Sequence, residues 1–297
     1  MSNKTKIQGH NTALESLKNI LAVPMFTKHS FDVSASALPY QTRGCAVVLD
    51  NEIHILGCGT NTADHQSHYK WNGTAWTSVS TLPYAFDTKN AVVLNGEIHI
   101  LGNSYSDSTS TKHYKWNGTA WTSVSTLPYK LRGGRAVVLN GEIHILGNNA
   151  GENSTRHYKW NGTAWTSVST LPYDFYTNCA VLFGDEIHIL GGSSSNLTKH
   201  YKWNGTAWTS VSTLPHAFSP NCAAACNGEI HILGSNTGTR FEHYKWNRTK
   251  WTECESLPHK VSDSAAVVRE NKINILGGYD NPLSHSILQM ELYQNIS

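Results

Sequence analysis

Short apolar runs alternate with polar punctuation along most of the chain, and they do so with a fixed period. Ala91–Leu94 is continuous and apolar, as a strand buried on both faces would be. Asn95-Gly96 follows, a pair that favours the tight turn of a hairpin. Glu97–Leu101 predicts the second strand, and a variable polar stretch leads to His113–Trp116, the third. Asn117-Gly118 turns the chain again, Trp121–Ser125 predicts a fourth strand, and Leu127-Pro128 opens the next unit. Leu-Pro recurs at Leu38, Leu82, Leu127, Leu171, Leu214 and Leu257, at intervals of 44, 45, 44, 43 and 43 residues. A block HYKWNGTAW begins at His68, His113, His157 and His200 and returns as HYKWNRTKW at His243.

Four short antiparallel strands in every 43–45 residues make a propeller blade, and the period occurs six times. A leucine-rich solenoid has a shorter period, and helical repeats would show a 3.6-residue periodicity that is absent here. The fold class expected is therefore all-β, a six-bladed β-propeller with four antiparallel strands per blade. The last repeat runs out after its third strand, near Ile287–Gln294. Phe31–Ala37 has the length and alternation of a fourth strand, so the N-terminal strand is expected to close the last blade and remove two exposed sheet edges. Asn11–Val23 predicts a short helix, with Thr12 and Glu15 at capping-box spacing, Leu14, Leu17 and Leu21 on one face, and Pro24 as its stop. The division expected is residues 1–28 as a helical anchor or docking segment and residues 29–297 as the propeller.

The repeat resembles the kelch family over about residues 29–297: an apolar first strand, a glycine after the second strand, a Tyr before the third turn and a Trp on the fourth strand, here Gly102, Tyr114 and Trp121. The double glycine of that family stands only at Gly191-Gly192 and Gly277-Gly278. The opening KTKIQGHNTALESLKNILAVP, about 20 residues, resembles the start of some tail-associated structural proteins of phages and prophages of Gram-positive bacteria. That resemblance implies a virion protein: an N-terminal segment that attaches to an assembly partner, and a propeller that serves as the receptor-binding head.

Charge and composition narrow the function. A formal net charge of +2 argues against a dedicated nucleic-acid surface or an anionic-membrane surface. No stretch is long and apolar enough to span a bilayer, so no membrane insertion is expected. Residues 7–19 are polar and charged where a secretory signal would be apolar, so the expectation is a chain made in the cytoplasm without a signal peptide. The six cysteines include no CxxC pair, and Cys45, Cys179 and Cys222 hold the same place in three repeats, which makes them packing thiols. Ten of the sixteen histidines are locked to the repeat, so their copies cannot converge on one ion, and neither a metal nor a cofactor is expected.

No nucleophile elbow, phosphate loop or zinc-ligand spacing is present, and the loop carboxylates Asp87, Asp174 and Asp263 are scattered. The informative contrast lies between the two faces of the disc. The turns joining strands one and two, and three and four, are nearly fixed. The loops on the opposite face diverge: QTRG, AFDTKN, KLRGGR, DFYTNC, AFSPNC and KVSDSA between blades, with equal freedom between strands two and three. Drift alone would touch both faces, so the variable one reads as a recognition face on a rigid scaffold. Phe86, Leu131, Phe175, Phe218 and Val261 share one apolar slot there and are expected to pack. Residues that break the repeat are the candidates for ligand contact: Arg43, Lys89, Tyr105, Arg132, Arg135, Tyr176, Arg240 and Tyr279. Arg132, Arg135 and Lys89 are expected to form a basic sector near the mouth, suited to a carboxylate or phosphate on a glycan. The reading is a non-enzymatic adhesion module that binds a surface glycan or protein ligand. The alternatives are an intracellular scaffold that binds a peptide, and a sugar-modifying enzyme of mutarotase type acting in the central well.

Overall fold

The computed structural model describes residues 25–32, 36–107, 110–148, 154–175, 179–191, 196–215, 217, 222–235, 241–278, 280 and 284–294. These residues form six four-stranded antiparallel sheets, which are the six blades. Blade 1 holds β2 (Ala46–Leu49), β3 (Glu52–Leu56), β4 (Ser67–Trp71) and β5 (Trp76–Thr81). Blade 2 holds β6 (Ala91–Leu94), β7 (Glu97–Leu101), β8 (Lys112–Trp116) and β9 (Trp121–Thr126). Blade 3 holds β10 (Arg135–Leu139), β11 (Glu142–Leu146), β12 (His157–Trp160) and β13 (Trp165–Ser167). Blade 4 holds β14 (Cys179–Phe183), β15 (Glu186–Leu190), β16 (Lys199–Trp203) and β17 (Trp208–Thr213). Blade 5 holds β18 (Cys222–Cys226), β19 (Glu229–Leu233), β20 (His243–Trp246) and β21 (Trp251–Glu253). Blade 6 joins β22 (Ala265–Arg269), β23 (Lys272–Leu276) and β24 (His285–Gln294) to β1 (Met25–Asp32). The first strands adjoin one another in order, and β22 lies against β2, so the ring is closed.

Closure by the N-terminal strand is as expected, but the strand lies upstream of Phe31–Ala37. β1 pairs Met25 with Gln294 and Asp32 with Ile287. The reason is the length of β24, ten residues where the third strands of the other blades have four or five, so its partner must start earlier to cover it. Residues 25–28 therefore pair within the blade. The helix expected at Asn11–Val23 lies outside the described residues.

The core is a set of clusters between blades. One joins Cys45, Val47 and Leu49 of blade 1 to Ile98, Ile100 and Trp116 of blade 2. The others repeat this around the ring, and the last joins Ile53, Ile55 and Trp71 to Ala265 and Leu276. The histidines stitch the same seams. In five blades the second-strand His meets the third-strand His through Nδ1···Nε2 contacts of 2.7–2.9 Å, as in His99–His113 and His144–His157. His68 Nδ1 lies 3.3 Å from Ser80 Oγ, and that hydroxyl accepts a hydrogen bond from Trp121 Nε1 of the next blade at 3.1 Å. Blade 6 replaces the pair with Asn274 and His285, 3.0 Å apart.

The glycine after each second strand has a steric cause. A Cβ on Gly147 would stand 1.9 Å from Phe175 O, and one on Gly102 would stand 2.3 Å from Leu131 O. Here the incoming loop of the next blade crosses close enough to share its backbone: Asn103 N donates to Leu131 O at 3.1 Å and Asn148 N to Phe175 O at 3.2 Å. The apolar slot packs as expected, with Phe86, Leu131, Phe175 and Val261 buried, while Phe218 lies outside the described residues.

Candidate functional site

The first strands place three tiers of side chains around the ring axis. At the variable face the tier before each strand carries Gly44, Lys89, Gly134 and Ser264 among the described residues. Below it stand six alanines, Ala46, Ala91, Ala136, Ala180, Ala223 and Ala266. Together with Arg135, Cys179 and Cys222 they line a cavity of about 160 Å³. The third tier, Val48, Val93, Val138, Leu182, Ala225 and Val268, lines a wider apolar cavity of about 370 Å³ toward the uniform face. The axis is therefore polar at one end and apolar at the other.

Charge gathers at the polar end. Lys89 Nζ lies 2.9 Å from Asp263 Oδ1 and donates to Ser264 O at 3.1 Å. Lys89 belongs to blade 2 and Asp263 to the loop entering blade 6, so the pair reaches across blade 1. Gly44 of blade 1 puts no side chain in between, because a Cβ there would strike Ala265 N at 2.1 Å. Burial raises the Asp263 carboxyl, but Lys89, with Arg135 and Arg43 farther off, outweighs it and holds the group below its ordinary value. Arg135 donates through one guanidinium nitrogen to Gly134 O at 3.1 Å, its one side-chain hydrogen bond among the described residues. Burial raises the thiols behind this rim, Cys179 to about 11 and Cys222 higher still, which disfavours the thiolate.

The candidates read from the sequence thus divide. Lys89 and Arg135 line the cavity, while Arg43 is exposed, outside that lining, and joins them only through its charge on Asp263. Arg132 is exposed, its backbone N–H bound to Asn148 Oδ1 at 2.9 Å, and it is not among the residues lining the cavity. The basic sector therefore keeps Lys89 and Arg135 at the mouth and leaves Arg132 outside it. Tyr105 sits over the seam of blades 1 and 2, 57% exposed and stacked on the buried His65 at 4.1 Å between centroids. His65 Nδ1 is in turn 3.7 Å from Asp87 Oδ1. Tyr176, Arg240 and Tyr279 lie outside the described residues.

In the sequence Asp263 stands out only as a scattered loop carboxylate, and the one signal at His65 is that it breaks the repeat. Asp174, grouped with Asp263 in the sequence, accepts a hydrogen bond from Ser154 Oγ at 2.6 Å. Among the described residues no three His, Cys, Asp or Glu side chains converge as a metal site would need, and no helix is long and apolar enough to cross a membrane.

The opposite face is uniform in detail. Asn72, Asn117, Asn161, Asn204 and Asn247 each accept a hydrogen bond from the backbone N–H two residues on, at 2.9–3.1 Å. Asn95-Gly96, Asn140-Gly141 and Asn227-Gly228 share the left-handed conformation at both positions.

Neither a family model nor a curated protein matches this chain. Among solved structures, one entitled "Structure of YjhT" superposes with a TM-score of 0.73 at 14% sequence identity, covering 87% of this chain and 99% of that chain. The likeness is one of fold, and it agrees with the blade count read from the strands: this chain is a six-bladed β-propeller.

Proposed function

We propose that this chain is a non-enzymatic binding module, the receptor-binding head of a phage or prophage tail, which recognises a cell-surface glycan through its variable loop face. The observation that carries this reading is the unequal treatment of the two faces. One repeats the same Asn-centred turn blade after blade, while the other sets different polar and cationic side chains on a common belt of backbone hydrogen bonds. A rigid frame with varied tips suits recognition. The direction of β1 supports the same reading. Met25 pairs with Gln294 at the end where third strands reach the uniform face. Met25, the first described residue, therefore lies on the side of the ring opposite the variable loops, a position that suits an attachment role for the N-terminus.

The test is a glycan array on the full chain, followed by paired variants. Arg132→Ala with Arg135→Ala should leave the melting temperature nearly unchanged, since Arg132 is exposed and half-buried Arg135 makes one side-chain hydrogen bond, to an adjacent backbone carbonyl. Binding should weaken by about 2 kcal/mol if these are charge-assisted contacts. Thr119→Ala and Thr163→Ala, in the uniform turns, should leave binding unchanged. Loss from the uniform face alone would contradict the assignment of recognition to the variable one. Capture of a peptide instead of a glycan, or turnover of a sugar, would replace the reading with one of its alternatives.

A further inference from the structure

We infer that Tyr105 and Asp87, over the seam of blades 1 and 2, form a subsite for an uncharged pyranose unit of gluco configuration. This rests on the variable face being the recognition face, and goes beyond it by naming the sugar class and the two groups that meet it. Tyr105 is the one exposed large aromatic among the described residues. One face of its ring lies on the His65 imidazole, 22° from parallel, and the other is left to solvent. The platform is held in place from below. His65 is buried in the 3-10 turn Thr62–Gln66, and no other blade has such a turn among the described residues. Tyr105 N donates to Ala85 O at 2.8 Å, and Phe86 N donates to His65 O at 2.8 Å, so backbone bonds tie the three segments together. An aromatic side chain fixed in this way loses little rotamer freedom when a ligand settles on it.

Asp87 meets the edge of the same imidazole. Its Oδ1 is 3.7 Å from His65 Nδ1, too far for a hydrogen bond. His65 Nδ1 is buried without a hydrogen-bond partner among the described residues, and the half-buried Asp87 carboxylate makes no hydrogen bond to a described residue either. Its lone pairs are therefore available to hydroxyl donors. A flat aromatic face with such a carboxylate at its margin fits a sugar. The ring face carries partial negative charge and attracts polarised C–H groups. A gluco-configured pyranose presents axial C–H bonds on both faces and equatorial hydroxyls around its edge. It can lie flat on Tyr105 while a hydroxyl of that unit, or of the adjoining one, donates to Asp87 in a charge-assisted bond. The carboxylate repels an acidic sugar at this point. A quaternary ammonium is held by a cage of several rings, and here one ring stands alone.

Saturation-transfer NMR on the full chain with cellobiose, glucuronate and choline tests this. Cellobiose should bind with a dissociation constant of about 1 mM or tighter, with saturation strongest on its axial ring protons. Glucuronate and choline should not compete with it. Tyr105→Ala should abolish binding, and Tyr105→Phe should retain it, because the ring and not the hydroxyl is the contact. Asp87→Asn should weaken binding about tenfold, through loss of the charge-assisted bond. No hydrogen bond to a described residue is lost in that variant, so it keeps the test decisive even where Tyr105→Ala fails to fold. Absence of cellobiose binding, undiminished binding by Tyr105→Ala, or displacement of the sugar by choline or glucuronate would overturn the subsite. Unchanged binding by Asp87→Asn would remove the carboxylate from it. The array separates the two levels. A glycan hit that survives Tyr105→Ala leaves the recognition face standing and removes this seam from it, whereas no array hit and no cellobiose binding remove both.

Discussion

A single methyl group distinguishes the two kinds of glycine in this ring. Gly147 and Gly141 both hold positive φ, 65° and 75°. A Cβ on Gly141 would meet nothing within 4 Å, while one on Gly147 would overlap the Phe175 carbonyl. Gly141→Ala should therefore lose only the left-handed preference, about 1 kcal/mol. Gly147→Ala must also push neighbouring blades apart, and should lose roughly 3 kcal/mol or fail to fold. Urea denaturation of these variants side by side checks this, and equal losses would contradict it. The same scale shows what the sequence conceals. Lys89 and Arg135 are legible because they break a repeat. The partner of Lys89 is not, because Asp263 meets it across an intervening blade, and the curvature that brings them together is not a property of any local pattern. The Tyr in Leu-Pro-Tyr is another case: Tyr40 and Tyr129 donate to the carbonyls of Gly57 and Gly147 at 2.8 and 2.9 Å, an anchor visible only once the blade is folded.

At the scale of the strand, the histidine pairs set a condition on pH. Burial holds second-strand histidines such as His54, His99, His144 and His188 down to about 4, and their third-strand partners to about 3. His285 is likewise held to about 4. In the unfolded chain these groups return to about 6.5. Above that value neither state is protonated and the full stability is present. As pH falls toward 4 the unfolded chain takes up protons that the folded ring refuses, so stability is lost with acid and not with base. Each depressed group gives up to about 1.4 kcal/mol per pH unit, against a typical total of about 5–15 kcal/mol. The ring should therefore unfold in mildly acidic solution, between about pH 6 and pH 4. A denaturation midpoint that stays flat from pH 7 to pH 5 would contradict this, and calorimetry should register proton uptake on unfolding. The strands themselves are legible to within a residue or two, because a period of two and an Asn-Gly turn are local. The exact position of the closing strand is not, because its register is set by β24, which lies at the far end of the chain.

For the whole molecule, the blade count and the closed ring follow from repetition alone, while the polarity of the axis does not. Closure carries its own prediction. Removing residues 1–32 strips β1 from β24 and takes away Phe31, which packs against the cluster between blades 5 and 6. The truncated ring should aggregate, or lose roughly 3–5 kcal/mol. A soluble, monomeric truncation with an unchanged melting temperature would contradict the topology. Closure also bears on how the chain finds its fold. The second strands of blades 1 to 5 all read EIHIL, and the fourth strands of blades 1, 2 and 4 all read WTSVST. A nascent chain can therefore pair a strand with the wrong blade at almost no energetic penalty, a hazard general to repeat proteins. The sequences MFTKHSFD and HSILQMELYQ occur in no other blade. β1 and β24 are thus matched by sequence where the other strands are interchangeable, and the closing pair is where a ring assembled one blade out of step should be rejected during folding.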